Sequence, residues 1–155
     1  MNALKKLYRF VICAGNKLQT PVLLLIRLAW GWQFFEAGKG KLQDIPKFAG
    51  VLTELHIPLP TLNAWLAASA ECFGGLFLML GLLSRVVSIP LAFTMIVAYT
   101  TAHRADLGSV SGILNAGPFS FLVASLVILA FGPGCLSLDR LIDRCVLHKK
   151  TASGD

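Results

Sequence analysis

Four apolar stretches, at 18–37, 62–83, 86–103 and 112–132, dominate this 155-residue sequence. At about 1.5 Å per helical residue, each is expected to be long enough to cross a hydrocarbon core of about 30 Å. Lipid offers backbone polar groups no partner, so only helices and closed barrels can span it, and runs without period-two alternation select helices. Four such runs cannot share one soluble core in so short a chain. Composition agrees: 55% of residues are hydrophobic and 14% charged, against about 25% charged in soluble domains. The sequence predicts an all-α membrane protein, a bundle of four transmembrane helices with short amphipathic interfacial helices.

The expected divisions are an arm (1–17), a transmembrane domain (18–139) and a tail (140–155). In the arm, Leu4, Leu7, Tyr8, Val11 and Ile12 share one helical face, with Lys5, Lys6 and Arg9 largely away from it. After "GPGCLS", the segment "LDRLIDRCVL" repeats that design with Leu138, Leu141, Ile142, Cys145 and Val146, and Ser137 stands where a cap would. The closing "TASGD" is expected to fray. A cleavable signal peptide is not expected at the start, because "FVICAGNK" is too short an apolar region and lacks an A-x-A site. In the first connection Ile45, Phe48, Leu52 and Leu55 recur at three and four residues. They predict a short amphipathic helix, lying on headgroups or acting as a lid, before "HIPLP" becomes extended.

Basic residues set the orientation. Nine fall on one side, namely Lys5, Lys6, Arg9, Lys17, Arg85, Arg140, Arg144, Lys149 and Lys150; four fall on the other, Lys39, Lys41, Lys47 and Arg104. The positive-inside rule places both termini in the cytoplasm of a bacterial inner (cell) membrane, with a multi-pass topology. The net charge of +6 is then a matter of anionic lipid, and no nucleic-acid partner is implied.

Cys13, Cys72, Cys135 and Cys145 form no C-x-x-C and have no histidine at metal spacing, so neither a disulfide nor a bound metal is expected. No G-x-G-x-x-G, P-loop, C-x-x-C-H or G-x-S-x-G is present. Any chemistry must use scattered groups.

Within "ASAECFGGLFLML" stands one carboxylate, Glu71. Counted along the helices, Glu71 and Arg27 differ in depth by about 7 Å, a gap that an arginine side chain can span. Glu71 shares a face with Ala64, Ala67, Ala68, Gly74 and Gly75, and Arg27 with Gly31 and Gly38; small residues let transmembrane helices approach. A Glu71–Arg27 pair is therefore expected. It either fixes helix register or forms a site that handles protons or a polar ligand. Glu36 and His103 should emerge at one level beside Lys39 and Lys41, with Tyr99 and Thr100 one turn inward of His103, as a polar vestibule or as a solvated rim. Trp30, Trp32, Phe34, Phe35 and Trp65 are expected to pack or anchor at the interface.

Several segments resemble the DoxX family of small four-helix membrane proteins: "RLAWGWQFFEAGKGKL", "FAGVLTELHIPLP", "AECFGGLFLMLGLLSR", His103 at the end of the third helix, and "GPGCLSLD". The resemblance covers roughly residues 22–139, and Arg27, Gly38, Lys41, Glu71, Gly75, Arg85 and His103 match recurring family positions. It implies an association with membrane redox or oxidative-stress complexes. The function expected on that basis is a subunit or small enzyme, an oxidoreductase component, exchanging electrons and protons with quinone. Glu71 and His103 would carry protons; Arg27, Glu36, Lys41 and Tyr99 would contact the ligand; Gly31, Gly38, Gly74, Gly75 and Arg85 would be structural. The sequence shows no redox centre, so electrons would pass through the substrate or a partner, a soluble redox protein, and a homo-oligomer is also envisaged. A non-catalytic membrane scaffold for soluble redox or stress proteins, or a small-solute transporter, are the alternatives.

Overall fold

A computed structural model describes residues 2–134 and 136–142, without the side chains of 2–7, 11, 14 and 16. Among the described residues the chain is all helical and holds no strand. The elements are α1 (Asn2–Gln43), α2 (Ile45–Glu54), α3 (Pro60–Leu80), α4 (Ser84–Thr100), a 3-10 turn (Arg104–Gly108), α5 (Val110–Asn115) and α6 (Gly117–Phe131). A further helical segment, α7, begins at 138. The expected amphipathic tail beyond 142, the frayed end, Cys135 and Cys145 lie outside the described residues, as do the side chains of Leu4, Leu7 and Val11.

The expected arm and first span form one 42-residue helix. Pro21 lies inside it, where a missing N–H costs one rung but does not end the helix. The fourth apolar run divides at Ala116, whose backbone is extended, and restarts on Gly117 and Pro118. Proline at the first turn of a helix forfeits only a donor that is orphaned there anyway. Among the described residues one helix, α3, is by itself long and apolar enough to cross a membrane; α4 and α6 are apolar but shorter.

The α1–α3 seam organises the bundle. The helices run antiparallel, and glycines set their register: a Cβ at Gly75 would stand 2.5 Å from the Phe35 backbone nitrogen, and one at Gly38 would collide with the Cys72 backbone and stand 2.8 Å from the Ala68 carbonyl. Gly31 meets Met79 and the Gly75 carbonyl in the same way. Beside the seam, Phe34, Leu78, Leu91, Met95 and Ile128 from α1, α3, α4 and α6 form one core cluster, in which Phe34 meets Phe121 edge-on at 4.7 Å between centroids.

Helix α2 packs on the bundle. Ile45, Ala49 and Leu52 are buried against Ala64 and Ala68 of α3, and the Asp44 carboxylate caps the helix by accepting from the Lys47 N–H at 3.1 Å. The segment after it is not extended as expected. His56 and Leu59 have left-handed backbones, φ 57° and 47°, and the Ile57 N–H returns to the Leu52 carbonyl to close the helix end.

The outside is apolar and the inside holds the polar groups. Leu25, Leu66, Phe73, Val86, Phe93 and Phe131 are all exposed, while Arg27, Glu71, Ser84, Ser88 and Ser125 are buried. Such a surface is poorly matched to water and well matched to lipid.

Candidate functional site

Arg27 and Glu71 do not pair. The Arg27 guanidinium donates instead to four carbonyls: Leu78 at 3.1 Å, Met79 at 3.2 Å, Leu136 at 2.9 Å, and Pro133. Leu78 and Met79 end α3, and the other two belong to the loop after α6, so one side chain ties three elements together at a helix C-terminus, where a cation is favoured. Gly81 makes room for it. Its left-handed φ of 69° closes α3, and a Cβ there would stand 2.6 Å from Arg27 Nη2. Depth counted along each apolar run does not give this register. The glycine register places Arg27 opposite the last turn of α3, well below Glu71.

Glu71 pairs with Lys41. Lys41 Nζ lies 2.6 Å from both Oε1 and Oε2, and it stands 5.0 Å from the centroid of the Phe48 ring. The Glu71 side chain is 3% exposed and that of Lys41 is 32% exposed. The carboxylate is thus enclosed between α1 and α3 near Gly38, and its cation, from the last turn of α1, reaches outward beside α2. A buried carboxylate is retained as a charge only when it is paired and hydrogen-bonded, a condition Lys41 meets. This arrangement sets a partly exposed ammonium at the edge of the bundle with a buried carboxylate behind it.

The other end groups form a separate cluster. His103 Nδ1 is 2.9 Å from Asp106 Oδ2, and the buried Tyr99 donates from its hydroxyl to the Ile113 carbonyl at 2.7 Å, which ties α4 to α5. The rings of Tyr99 and His103 are 6.4 Å apart. An open recess of about 390 Å³ is lined by His103, Asp106, Ser109 and Asn115 among others. Neither Glu71 nor Lys41 lines it. Glu36 is exposed on α1. The vestibule expected to join Glu36, Lys41, Tyr99 and His103 is therefore two places: a Lys41–Glu71 pair under α2, and a His103–Asp106 pair on the 3-10 turn.

Two positions make contacts that the sequence does not announce. Asp139 accepts from the backbone N–H groups of Leu83 at 2.6 Å and Ser84 at 3.1 Å, capping α4 from the far end of the chain. Ser137, as expected, caps the following segment, accepting from the Arg140 N–H at 3.3 Å. Phe48, read as one apolar position of α2, also faces the Lys41 ammonium.

Residues 22–104 match the DoxX family. The chain belongs to the DoxX family. With its exposed apolar sheath it is a DoxX membrane protein. Among its relatives, an uncharacterized protein of Haemophilus influenzae is 30% identical over 129 residues, covering 79% of this chain and 83% of that protein. An uncharacterized membrane protein of Mycobacterium tuberculosis is 29% identical over 136 residues, covering 80% and 83%. No solved structure gives a significant match. Arg27, Lys41, Glu71, Arg85, Tyr99 and His103 all lie within the stretch that matches the DoxX family, whereas Asp106 and Asp139 lie outside it.

Proposed function

We propose that this DoxX protein spans a bacterial inner membrane four times, by α1, α3, α4 and the α5–α6 pair, with both termini cytoplasmic, and that it serves as the membrane subunit of a quinone-linked redox system. Topology rests on the distribution of Lys and Arg, nine on the side of the α3–α4 turn and four on the side of α2. The shorter α4 and α6 fit a bundle in which turns and α5 complete the crossing.

The observation that carries the site is the Lys41–Glu71 pair, a buried carboxylate whose cation is one-third exposed. On the outward side, Lys41 supplies an ammonium donor and Phe48 an aromatic face, a combination suited to a ring that bears carbonyl oxygens. Quinone, when bound, accepts two electrons and two protons. Lys41 would hold and orient the head group and exchange a proton with Glu71 at its Oε atoms; because the pair holds one transferable proton, the second would come from water. Neither residue carries electrons, so these are assigned to a soluble redox partner. The ring would sit at the outer edge of the pair under α2 and not between α1 and α3, whose glycine contacts leave no space.

The experiment is a titration of purified protein with a short-tailed quinone, beside an assay of lipid extracts for quinone retained on purification. Saturable binding that is lost in Lys41→Gln supports the reading. Binding unchanged in that variant overturns it.

A second reading, a scaffold for soluble redox or stress proteins, is favoured by one observation: Arg27 and Asp139 are wholly engaged in tying helices together. In that case the Lys41–Glu71 pair would be another fastening.

A further inference from the structure

At the opposite end of the bundle from Lys41, a recess of about 550 Å³ is lined by Leu82, Leu83, Arg85, Val86, Phe131, Gly132, Pro133, Gly134, Ser137, Asp139, Arg140 and Ile142. Its chemistry is divided. One part is cationic, and the rim is apolar, with Leu83, Val86, Phe131 and Ile142 all exposed.

Arg85 is the residue that calls for an occupant. It lies in the first turn of α4 yet folds across to the end of α6, where a Cβ on Gly132 would stand 3.1 Å from its Nε and 3.2 Å from its Nη2. The left-handed φ of Gly132, 78°, and its missing side chain leave room for the guanidinium beside the backbone. Among the described residues its fork has no hydrogen-bonded or ion-paired carboxylate. The obvious candidate, Asp139, is engaged elsewhere: its two oxygens accept from the Leu83 and Ser84 N–H groups. Asp139 therefore serves the start of α4, and the charge the recess presents is that of Arg85.

An exposed guanidinium beside an apolar rim, at the edge of a membrane protein, matches a molecule with an anionic head and acyl chains. We infer that the recess between α4, α6 and α7 is a binding site for the phosphate of an anionic phospholipid, held by Arg85 over Gly132, with the acyl chains along Val86 and Phe131. The planar fork suits a phosphodiester, which takes two parallel N–H bonds. Arg85 then does more than mark the cytoplasmic side: it selects a headgroup.

The test uses the full-length protein in neutral detergent. Its melting temperature and the lipid it retains in native mass spectrometry are measured with added phosphatidylglycerol, with phosphatidylcholine, and with inorganic phosphate alone, for the parent, Arg85→Gln and Arg85→Lys. Phosphatidylglycerol should stabilise the parent and remain bound, and phosphatidylcholine should not. Arg85→Gln should weaken that binding by roughly five- to tenfold, and Arg85→Lys should fall between. Because Arg85 is exposed, both variants keep the fold, which their melts without lipid will show. Parent-like lipid binding in Arg85→Gln, or no preference between the two lipids, overturns the site. An equal response to inorganic phosphate alone overturns the lipid as its occupant.

Discussion

Lys41 holds both oxygens of Glu71 at 2.6 Å, yet the two side chains differ tenfold in exposure, 32% against 3%. That asymmetry makes the two single substitutions unequal. Lys41→Met leaves a carboxylate enclosed between α1 and α3 without a cation and should cost up to about 3–5 kcal/mol. Glu71→Gln leaves an ammonium that can swing outward to solvent and should cost about 1 kcal/mol. Thermal melts in detergent decide the order, and equal losses would show that Glu71 is not confined as described.

Arg27 and Glu71 share no partner, since one binds carbonyls at the end of α3 and the other binds Lys41. Their substitutions should therefore add. In a cycle of Arg27→Gln, Glu71→Gln and the double variant, the interaction energy should lie within about 0.5 kcal/mol of zero. Arg27→Gln alone should be among the most damaging changes in the chain, because charge-assisted hydrogen bonds contribute about 1.5–3 kcal/mol each. A coupling well above that range would restore the Arg27–Glu71 pair.

Glycines on α1 divide sharply. A methyl group on Gly38 collides with the Cys72 backbone, and one on Gly40 meets nothing within 4 Å. Gly38→Ala should force α1 and α3 apart and lower the yield of folded protein, and Gly75→Leu should do the same. Gly40→Ala, at an open helical position, should be neutral or stabilise by up to about 1 kcal/mol. Similar melts for Gly38→Ala and Gly40→Ala would refute the seam.

Reporter fusions after residues 55 and 155 should read periplasmic and cytoplasmic respectively, as the nine-to-four distribution of basic residues requires. Periplasmic activity at the second fusion would invert the topology and put the Arg85 recess on the outer leaflet.

Much of the helical content was legible because apolar length alone demands it. Helix α2 was legible in Ile45 and Leu52, which repeat on one face. What hydropathy could not show was where helices continue or break: Pro21 is tolerated within α1, whereas Pro118 restarts a helix, and the same residue type has opposite effects according to its place in the turn. The Lys41–Glu71 pair was missed for a related reason, since depth counted from assumed membrane edges is a poor ruler. A better one was present in the sequence. Gly31 and Gly38 are seven apart, as are Ala68 and Gly75; laying these two ladders antiparallel puts Glu71 level with Phe35, already nearer Lys41 than Arg27, and the observed register, with Gly38 against Cys72 and Gly31 against Met79, brings it within a turn of Lys41. Asp139 was illegible because its partners are backbone N–H groups 55 and 56 residues away, and nothing local marks such a contact.

Glu71 and Lys41 either act or merely fasten, and the double variant Lys41→Met/Glu71→Leu separates the two. Replacing both charges with apolar side chains should recover most of the stability that Lys41→Met loses, because no charge is left stranded. Melting temperature and short-tailed quinone binding are measured together on this variant and the parent. The expected result is a melt close to the parent with quinone binding lost. Parent-like quinone binding in the stably folded double variant would contradict it and leave the pair as a fastening in a scaffold.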